Sequence, residues 1–164
     1  MKRLLFLITP LLIFTLLFSA CSPTEKDNYE NTLAYFQIDF IKSDFEMTES
    51  TSYKADYVRA YKVSVTEKER KKLIKHFKSF ENGEFVKIPN AQNNFDILCD
   101  TLIEDFGSYK AVSEGYFALY NTISGKLQTK LNFDTLANFD FDFYRALIFD
   151  VDTNTLYIYD YSAT

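Results

Sequence analysis

The sequence predicts an α+β domain in which a mainly antiparallel sheet of about five to seven strands carries two amphipathic helices on one face. Three observations predict this fold class. Several segments alternate apolar and polar residues with the two-residue period of a half-buried strand. Two other segments repeat their apolar residues at helical spacing. Near the C-terminus, pairs of predicted strands flank short polar turns, which favours hairpins and therefore antiparallel order.

The predicted strands of the N-terminal half differ in regularity. Residues 33–41 (LAYFQIDFI) alternate cleanly and predict a first strand, whereas the polar residues 43–52 predict a loop. Residues 53–65 (YKADYVRAYKVSV) predict a second strand. Because Arg59 interrupts the apolar face of this strand, we expect a bend or bulge midway along it.

The first predicted helix covers residues 67–80. Thr66 and Glu69 form a capping box, in which each side chain can accept the other residue's exposed backbone N–H. Asn82-Gly83 supplies the left-handed residue that commonly ends a helix. The apolar positions at helical spacing are Leu73, Ile74, Phe77 and Phe80.

A second helix is predicted over residues 95–106, and Gly107 is expected to end it. Its apolar face consists of Phe95, Leu98, Cys99, Leu102, Ile103 and Phe106. We expect the apolar faces of both helices to pack on the sheet.

The remaining predicted elements are short strands. Residues 84–88 predict one strand, ended by Pro89. Residues 116–121 and 126–133 flank Ser124-Gly125 and predict a hairpin. Residues 144–151 and 156–161 flank the turn at 152–155 and predict a closing hairpin, while residues 134–142 fit a loop with a helical turn.

The N-terminal segment has the three parts of a secretory signal. Lys2 and Arg3 precede an apolar run over residues 4–18, and the small residues Ser19 and Ala20 follow it. The run is shorter than the roughly 20 residues that span a bilayer, and it contains a proline. A cleaved signal is therefore favoured over a retained transmembrane helix.

Residues 17–21 (LFSAC) resemble the lipobox of bacterial lipoproteins, with Phe18 where leucine is usual. The resemblance implies that Cys21 is lipidated and becomes the new N-terminus. The chain then divides into a signal peptide (1–20), the lipidated cysteine with a polar tether (21–31) and a single domain (32–164). Ser22 stands where an aspartate would resemble an inner-membrane retention signal, so delivery to the outer membrane is expected. A soluble secreted product is the alternative.

The charge of the mature chain restricts its partners. Residues 21–164 contain 16 basic and 23 acidic residues, a net charge of −7. Nucleic-acid-binding domains usually have a basic surplus. We therefore expect no nucleic-acid partner, and contact with the membrane through the N-terminal lipid.

No motif for catalysis, cofactor binding or metal binding is complete, so none of these is expected. Asp150, Asp152 and Asn154 begin like a calcium loop, but Thr155 and Tyr161 replace its required glycine and glutamate. Turn chemistry alone explains aspartate and asparagine between two strands. A plain hairpin turn is the preferred interpretation.

The first predicted helix carries many basic side chains. They are Lys68, Arg70, Lys71, Lys72, Lys75 and Lys78. A solvated helix face is the preferred interpretation, and contact with anionic headgroups or an acidic partner is the alternative. The helix also contains His76, the only histidine, which cannot form a zinc site alone.

Residues 94–102 (NFDILCDTL) resemble the nuclease-binding helix of barstar-type inhibitors. The resemblance implies that Asp96 and Asp100 imitate nucleic-acid phosphates, which makes them candidates for partner binding. Cys99 stands where that family has an aromatic residue. With Cys21 lipidated, Cys99 has no internal disulfide partner, and we interpret it as a buried small hydrophobe.

The leading hypothesis is a non-enzymatic, membrane-anchored cell-envelope lipoprotein whose domain binds another envelope protein or a surface ligand. Tyrosines on the predicted strands suit an interface, although their interpretation as ordinary sheet residues is preferred: Tyr57, Tyr61, Tyr157 and Tyr159. One alternative is an envelope hydrolase, which requires convergent carboxylates among Asp134, Asp140, Asp142, Asp150, Asp152 and Asp160. Another is an immunity or inhibitor protein with an exposed acidic patch around Asp96 and Asp100.

Overall fold

The computed structural model describes residues 23–53, 56–80, 84–88, 112–128 and 144–162, without the side chains of 48–53, 56–58, 161 and 162. These residues form two helices and a seven-stranded sheet, which confirms the α+β fold class. The elements are α1 (Glu25–Tyr35), β1 (Phe45–Tyr53), β2 (Asp56–Ser64), α2 (Glu67–Lys78), β3 (Phe85–Ile88), β4 (Gly115–Asn121), β5 (Lys126–Leu127), β6 (Tyr144–Asp150) and β7 (Thr155–Ser162). The chain forms two compact units, Met1–Asn31 and Thr32–Thr164.

All pairings between the described strands are antiparallel. Their order across the sheet is β1-β2-β7-β6-β4-β3, with β5 also beside β4. The predicted strand at 84–88 and the closing hairpin are confirmed as β3 and as β6–β7. The hairpin around Ser124-Gly125 is confirmed as β4–β5, where Gly125 has the left-handed φ of 66°. Residues 129–142 lie outside the described residues.

Both faces of the sheet are buried. On one face, which we call the helix face, the ring of Phe77 from α2 lies 4.7, 5.1 and 5.9 Å from the rings of Phe85, Tyr116 and Phe149. The described buried side chains of the opposite face form one cluster, which consists of Ala60, Ile88, Val112, Phe117, Leu119, Ala146, Ile148 and Tyr157. Because both faces are covered, β4 and β6 contain nearly continuous buried runs instead of a half-exposed alternation.

Helix α2 begins as predicted and ends earlier than predicted. The Thr66 hydroxyl accepts the Glu69 N–H, and the Glu69 carboxylate accepts the Thr66 N–H, so the capping box is confirmed. The helix ends at Lys78 with Ser79 as its C-cap in a right-handed conformation, before the predicted stop at Asn82-Gly83. The second predicted helix, 95–106, lies outside the described residues.

The first predicted strand, residues 33–41, is wrong. Its first three residues end α1, and the rest is a turn and an extended loop. The side chains still alternate, with Phe36 and Ile38 buried and Gln37 exposed, which explains the strand-like pattern. The loop bonds to α2 instead of to a strand, because His76 and Glu69 bond its backbone groups.

Helix α1 covers part of the predicted tether, so residues 25–31 are helical. The Thr24 hydroxyl accepts the Asp27 N–H at 3.2 Å, and Asp27 accepts the Thr24 N–H at 2.7 Å, which reproduces a capping box. The hydrogen bonds from Thr24 lower the pKa of Asp27 below its ordinary value. The residues that follow Thr24 are mostly polar and show no apolar repeat at helical spacing. The sequence pattern alone therefore did not predict this helix.

The predicted loop at 43–52 is also wrong, because residues 45–53 form β1. β1 is the terminal strand in the described order and pairs only with β2, so its polar sequence is compatible with an edge position. The irregular register lies in β1, between Met47 and Glu49, instead of in β2 as predicted. β2 pairs regularly with β7, and Arg59 lies on the helix face without a bulge.

Candidate functional site

Three charged residues lie side by side on three neighbouring strands. Asp160 of β7 is the register partner of Arg59 on β2 and of Arg145 on β6. The Arg145 Nε lies 2.8 Å from Asp160 Oδ1, and the Arg59 Nη1 lies 3.8 Å from Asp160 Oδ2. Thr32 of α1 donates its hydroxyl to Asp160 Oδ2 at 3.4 Å. Cross-strand pairing therefore holds one carboxylate between two guanidinium groups, and we call these residues the arginine cluster.

The arginine cluster is buried. Asp160 is 3% exposed, and the Arg145 and Arg59 side chains are 11% and 18% exposed. Burial raises the pKa of Asp160, against the opposing attraction of Arg145 and Arg59. Since buried ion pairs contribute little net stability, the cluster marks this end of the sheet as a candidate for function.

Arg145 connects the arginine cluster to a pair of aromatic rings. Its guanidinium carbon lies 4.3 Å from the ring centroid of Tyr35. The Tyr35 ring lies 4.7 Å from the ring of Tyr120, which is the register partner of Arg145 on β4. Such cation–π contacts stabilise by about 0.5–2 kcal/mol. The stack therefore holds the Tyr35 ring in place at the surface, where the residue is 37% exposed.

A half-open pocket of about 410 Å³ lies beside this stack. Its size falls within the range of about 300–1,000 Å³ that is typical of small-molecule sites. Three of its lining residues are aromatic, and we call it the aromatic pocket. It is lined by Tyr35, Gln37, Phe80, Glu84, Tyr120, Gly125, Lys126 and Leu127.

Two charged residues, Glu84 and Lys126, line the aromatic pocket. The Glu84 Oε2 is buried and accepts no hydrogen bond from the described residues. A buried acceptor without a donor costs about 1–3 kcal/mol, and more when it is charged. Because this oxygen has no accessible surface, it is not the atom that a ligand in the half-open pocket would reach. Lys126 is an exposed residue and offers the pocket a cationic donor.

Gln37 lines the same pocket in a backbone conformation that usually requires glycine. Its φ is 58°, in the left-handed region. Its N–H donates to the Ala34 carbonyl at 2.9 Å, and the Ile38 N–H donates to the Leu33 carbonyl at 3.1 Å. These two bonds define a Schellman motif, in which glycine is the usual residue at the Gln37 position. Strained residues of this kind cluster at functional sites.

A second pocket, of about 360 Å³, lies at the start of α2 and contains a satisfied carboxylate. Glu69 accepts the N–H groups of Lys42 and Ser43 at 2.6 and 3.1 Å and the hydroxyls of Ser43 and Thr66 at 2.6 and 2.7 Å. Although burial raises the pKa of Glu69, the hydrogen bonds from Lys42, Ser43 and Thr66 lower it to about 2. Lys42, Lys68 and Lys72 also line this pocket. Its carboxylate fastens the loop to α2.

His76 has a structural position on α2. Its Nε2 lies 3.0 Å from the Phe36 carbonyl oxygen, and it donates the hydrogen bond because a carbonyl can only accept. Its ring also packs edge-on against Phe40, Phe80 and Phe85. The lysines of α2 are exposed, and Lys71 lies 4.0 Å from Glu67. These contacts fit the solvated-face interpretation of the helix.

The calcium-like segment forms a hairpin turn. Asp150 Oδ1 accepts the N–H groups of Asp152 and Thr153 at 2.9 and 3.2 Å, and Asn154 has a φ of 54°. Asp152 also accepts the hydroxyl of Ser113. The carboxylate of Asp150 is therefore occupied by the turn. Within the described ranges, no group of three or more histidine, cysteine, aspartate or glutamate residues is arranged to hold a metal ion.

The described aspartates of the C-terminal third do not converge on one site. Asp150 lies at the turn of the β6–β7 hairpin, and Asp160 lies toward the open end of that hairpin and on the other face of the sheet. The other aspartates proposed for hydrolysis lie outside the described residues: Asp134, Asp140 and Asp142.

Several residues chosen from the sequence also lie outside the described residues: Cys21, Asp96, Cys99 and Asp100. Their assignments stay predictions. In the part of the chain that the structure describes, no helix is long and apolar enough to cross a membrane.

The proposed tyrosine interface is wrong for two of its members. Tyr61 is fully buried on the helix face, and Tyr157 is 6% exposed on the opposite face. Tyr159 is partly buried, and the side chain of Tyr57 lies outside the description. The ordinary-sheet interpretation therefore holds for Tyr61 and Tyr157.

Comparison with protein-family models, curated protein sequences and solved structures finds no match to this chain.

Sequence reasoning missed the aromatic pocket and the arginine cluster, although a signal for the cluster was present. Arg59, Arg145 and Asp160 each occupy an apolar-parity position in a strand whose other side chains of that parity, where the structure describes them, are buried. A charge repeated at such positions in three strands indicates cross-strand pairing. The residues of the pocket carried no comparable signal, because they come from four separate segments.

Proposed function

We propose that this protein is a lipid-anchored cell-envelope protein whose domain binds a ligand in the aromatic pocket, without catalysing a reaction. The anchoring half rests on the signal-like N-terminus and on the lipobox-like residues 17–21. Several acyl chains on Cys21 would hold the chain at a membrane, since each buried methylene contributes about 0.8 kcal/mol. Ser22 favours the outer membrane over the inner one.

The observation that carries the binding half is a half-open pocket of about 410 Å³ whose lining combines three aromatic side chains with two charged ones, Glu84 and Lys126. Tyr35, Phe80 and Tyr120 supply apolar contact area for a ligand. A pocket with apolar walls and a few polar groups is the usual form of a small-molecule site.

Binding is favoured over hydrolysis because of the partners of Asp160. A glycoside hydrolase of the usual two-carboxylate type needs a second carboxylate near the first and room for substrate between them. The two groups beside Asp160 in the arginine cluster are guanidinium groups, which cannot take the place of that second carboxylate. The cluster therefore suits the positioning of Tyr35 better than acid–base chemistry.

The anchor is tested by replacing Cys21. Cys21→Ser is expected to abolish incorporation of labelled fatty acid and to move the protein from the membrane fraction to the soluble fraction. Cys99→Ser is the matched control and is expected to change neither. Unchanged membrane retention of Cys21→Ser would contradict the anchoring half of the proposal.

The binding half is tested by thermal unfolding of the full-length protein in detergent. Saccharides, amino acids, amines, nucleotides and fatty acids are added one class at a time. A ligand present at 100 times its Kd stabilises the folded state by about 2.7 kcal/mol, which raises the unfolding temperature measurably. The shift is expected to disappear in Glu84→Gln and Tyr120→Ala and to persist in the control Glu114→Gln. If no compound of any class shifts the unfolding temperature, the binding half is wrong.

A further inference from the structure

We propose that the pocket at the start of α2 binds a phosphate monoester group through the three lysines that line it. We call it the lysine pocket, and its lining residues are Phe40, Lys42, Ser43, Thr66, Lys68, Glu69 and Lys72. It is a second site, because it shares no lining residue with the aromatic pocket. Three observations carry the proposal: the placement of the lysines, their lack of acidic partners and the net charge of the pocket.

Two segments that are distant in sequence bring the lysines to one cavity. Lys68 and Lys72 lie four residues apart on α2, a spacing that places side chains on one face of a helix. Lys42 lies in the loop after α1, where its N–H donates to Glu69 at 2.6 Å and fixes it beside the start of α2. The Lys72 Nζ lies 5.4 Å from the ring centroid of Phe40, in the same loop. The result is a half-open cavity of about 360 Å³ between loop and helix, with exposed lysines on both sides.

None of the three lysines forms an ion pair with a described acidic residue. Glu67, in the first turn of α2, pairs instead with Arg70 and Lys71 at 3.5 and 4.0 Å. Like charges four residues apart on a helix repel each other, so the spacing of Lys68 and Lys72 costs stability. A bound anion would replace this repulsion with attraction.

Glu69 lines the pocket and is already occupied by other donors. Its two carboxylate oxygens accept the N–H groups of Lys42, Ser43 and Thr66 and the hydroxyls of Ser43 and Thr66. Because its pKa is about 2, it is ionised at neutral pH. Its charge is therefore part of the pocket, and three ammonium groups with one carboxylate leave two positive charges.

Two positive charges match a phosphate monoester, which carries a charge of about −1.5 to −2 near neutral pH. A carboxylate or a phosphate diester carries only one negative charge. The match is also one of hydrogen bonding, since ammonium groups only donate and phosphate oxygens accept. Asp39 and Asp44, the other acidic residues of the loop, do not line the pocket. The chain as a whole has a net charge of −5, so the lysine pocket is a local positive site on an acidic protein.

A phosphate monoester can belong to a soluble molecule or to a lipid headgroup, and one pair of compounds separates these sources. Glycerol 3-phosphate carries the group in soluble form. Phosphatidic acid is its diacyl ester and carries the same group in a headgroup. Both offer the lysines the same dianion, so a difference between them reports the source and not the chemistry.

The experiment is calorimetric titration of the full-length protein in detergent, at low salt and about pH 8, where phosphate monoesters are dianions. The probes are glycerol 3-phosphate and dioctanoyl phosphatidic acid in the same detergent. Acetate and dioctanoyl phosphatidylcholine are the respective controls. We expect binding of at least one probe, clearly tighter than its control, and weaker binding when salt is added.

Lys68→Gln and Lys72→Gln are each expected to weaken the binding of the probe by roughly two- to fivefold, and the double variant by about tenfold. Lys75→Gln removes the same charge from an exposed position of α2 outside the pocket, and it is expected to bind as the unmodified protein does. The far-ultraviolet circular dichroism of each variant verifies that it is folded.

Each outcome supports or overturns the proposal. Binding of glycerol 3-phosphate supports it with a soluble ligand, and binding of phosphatidic acid alone supports it with a lipid headgroup. Acetate binding as tight as that of glycerol 3-phosphate, or an equal loss in Lys75→Gln and Lys68→Gln, indicates diffuse attraction and overturns it. If neither probe binds, the proposal is wrong, and the aromatic pocket, which is tested by Tyr120→Ala, is unaffected.

Discussion

At the scale of single residues, the features that suggest function are those that cost stability. Glu84 keeps a buried oxygen that has no partner among the described residues, and Gln37 occupies a glycine-like conformation. Asp160 lies buried between two guanidinium groups whose attraction opposes its desolvation. Such local costs are usually found at functional sites, where the surrounding structure maintains them. Gln37 and Glu84 line one pocket, and Arg145 connects that pocket with Asp160.

The strain at Gln37 predicts a stabilising substitution. Gln37→Gly is expected to increase the free energy of unfolding by about 0.5–1 kcal/mol, because glycine adopts a positive φ without a Cβ penalty. Gln37→Ala retains the Cβ and serves as the control, for which no gain is expected. Urea unfolding at neutral pH measures both. A glycine variant less stable than the alanine variant would show that the backbone conformation is not the source of strain.

At the scale of elements, buried side-chain bonds join the loop after α1 to α2. The Glu69 carboxylate receives backbone N–H groups from Lys42, Ser43 and Thr66, and His76 donates to the Phe36 carbonyl. These bonds satisfy backbone groups that a strand partner would otherwise satisfy. The loop therefore needs no sheet pairing, although its side chains alternate in burial as those of a strand do.

The carboxylate of Glu69 predicts how stability depends on pH. Its pKa is about 2 in the folded protein and about 4.5 when it is free of these contacts, so its contribution is complete above about pH 4.5 and is lost as pH falls toward 2. Glu69→Gln is expected to lower the free energy of unfolding by roughly 2–3 kcal/mol at pH 7 and by little near pH 2. Urea unfolding across this pH range measures the difference.

The control for this prediction is Glu67→Gln, in the same first turn of α2, where the side chain is 59% exposed. It is expected to change stability only slightly at any pH. The raised pKa of Asp160 makes stability fall as pH rises, which is the opposite of the effect of Glu69. Because Asp160 is present in every variant, comparing each variant with the unmodified protein at the same pH removes this contribution. A difference between Glu69→Gln and the unmodified protein that does not shrink on acidification would show that the carboxylate charge is not responsible.

At the scale of the whole molecule, the last two strands occupy the middle of the described sheet. β7 and β6 pair with β2 on one side and with β4 on the other, so strands distant in sequence meet at the closing hairpin. This arrangement places Arg59 beside Asp160, a hundred residues later in the chain, and brings Arg145 to the other side.

The amino-acid sequence by itself determined the features that depend on neighbours along the chain. The capping box that starts α2, the closing hairpin and the Gly125 turn were all predicted correctly, because caps and turns are decided by residues a few positions apart. The α+β class followed from these same elements. The lipobox-like residues are equally local, and they support the proposed anchor without reference to the fold.

Only the tertiary structure decided the features that depend on distant residues. Residues 36–43 form a loop because α2 bonds their backbone, and the polar segment 45–53 becomes a strand because β2 lies beside it. The arginine cluster and the aromatic pocket likewise exist only after β2, β4, β6 and β7 have paired and the ends of both helices have been placed. Burial and long-range pairing outweigh local propensity at these positions, since the free energy of a buried charge or an unpaired backbone group exceeds that of a local preference.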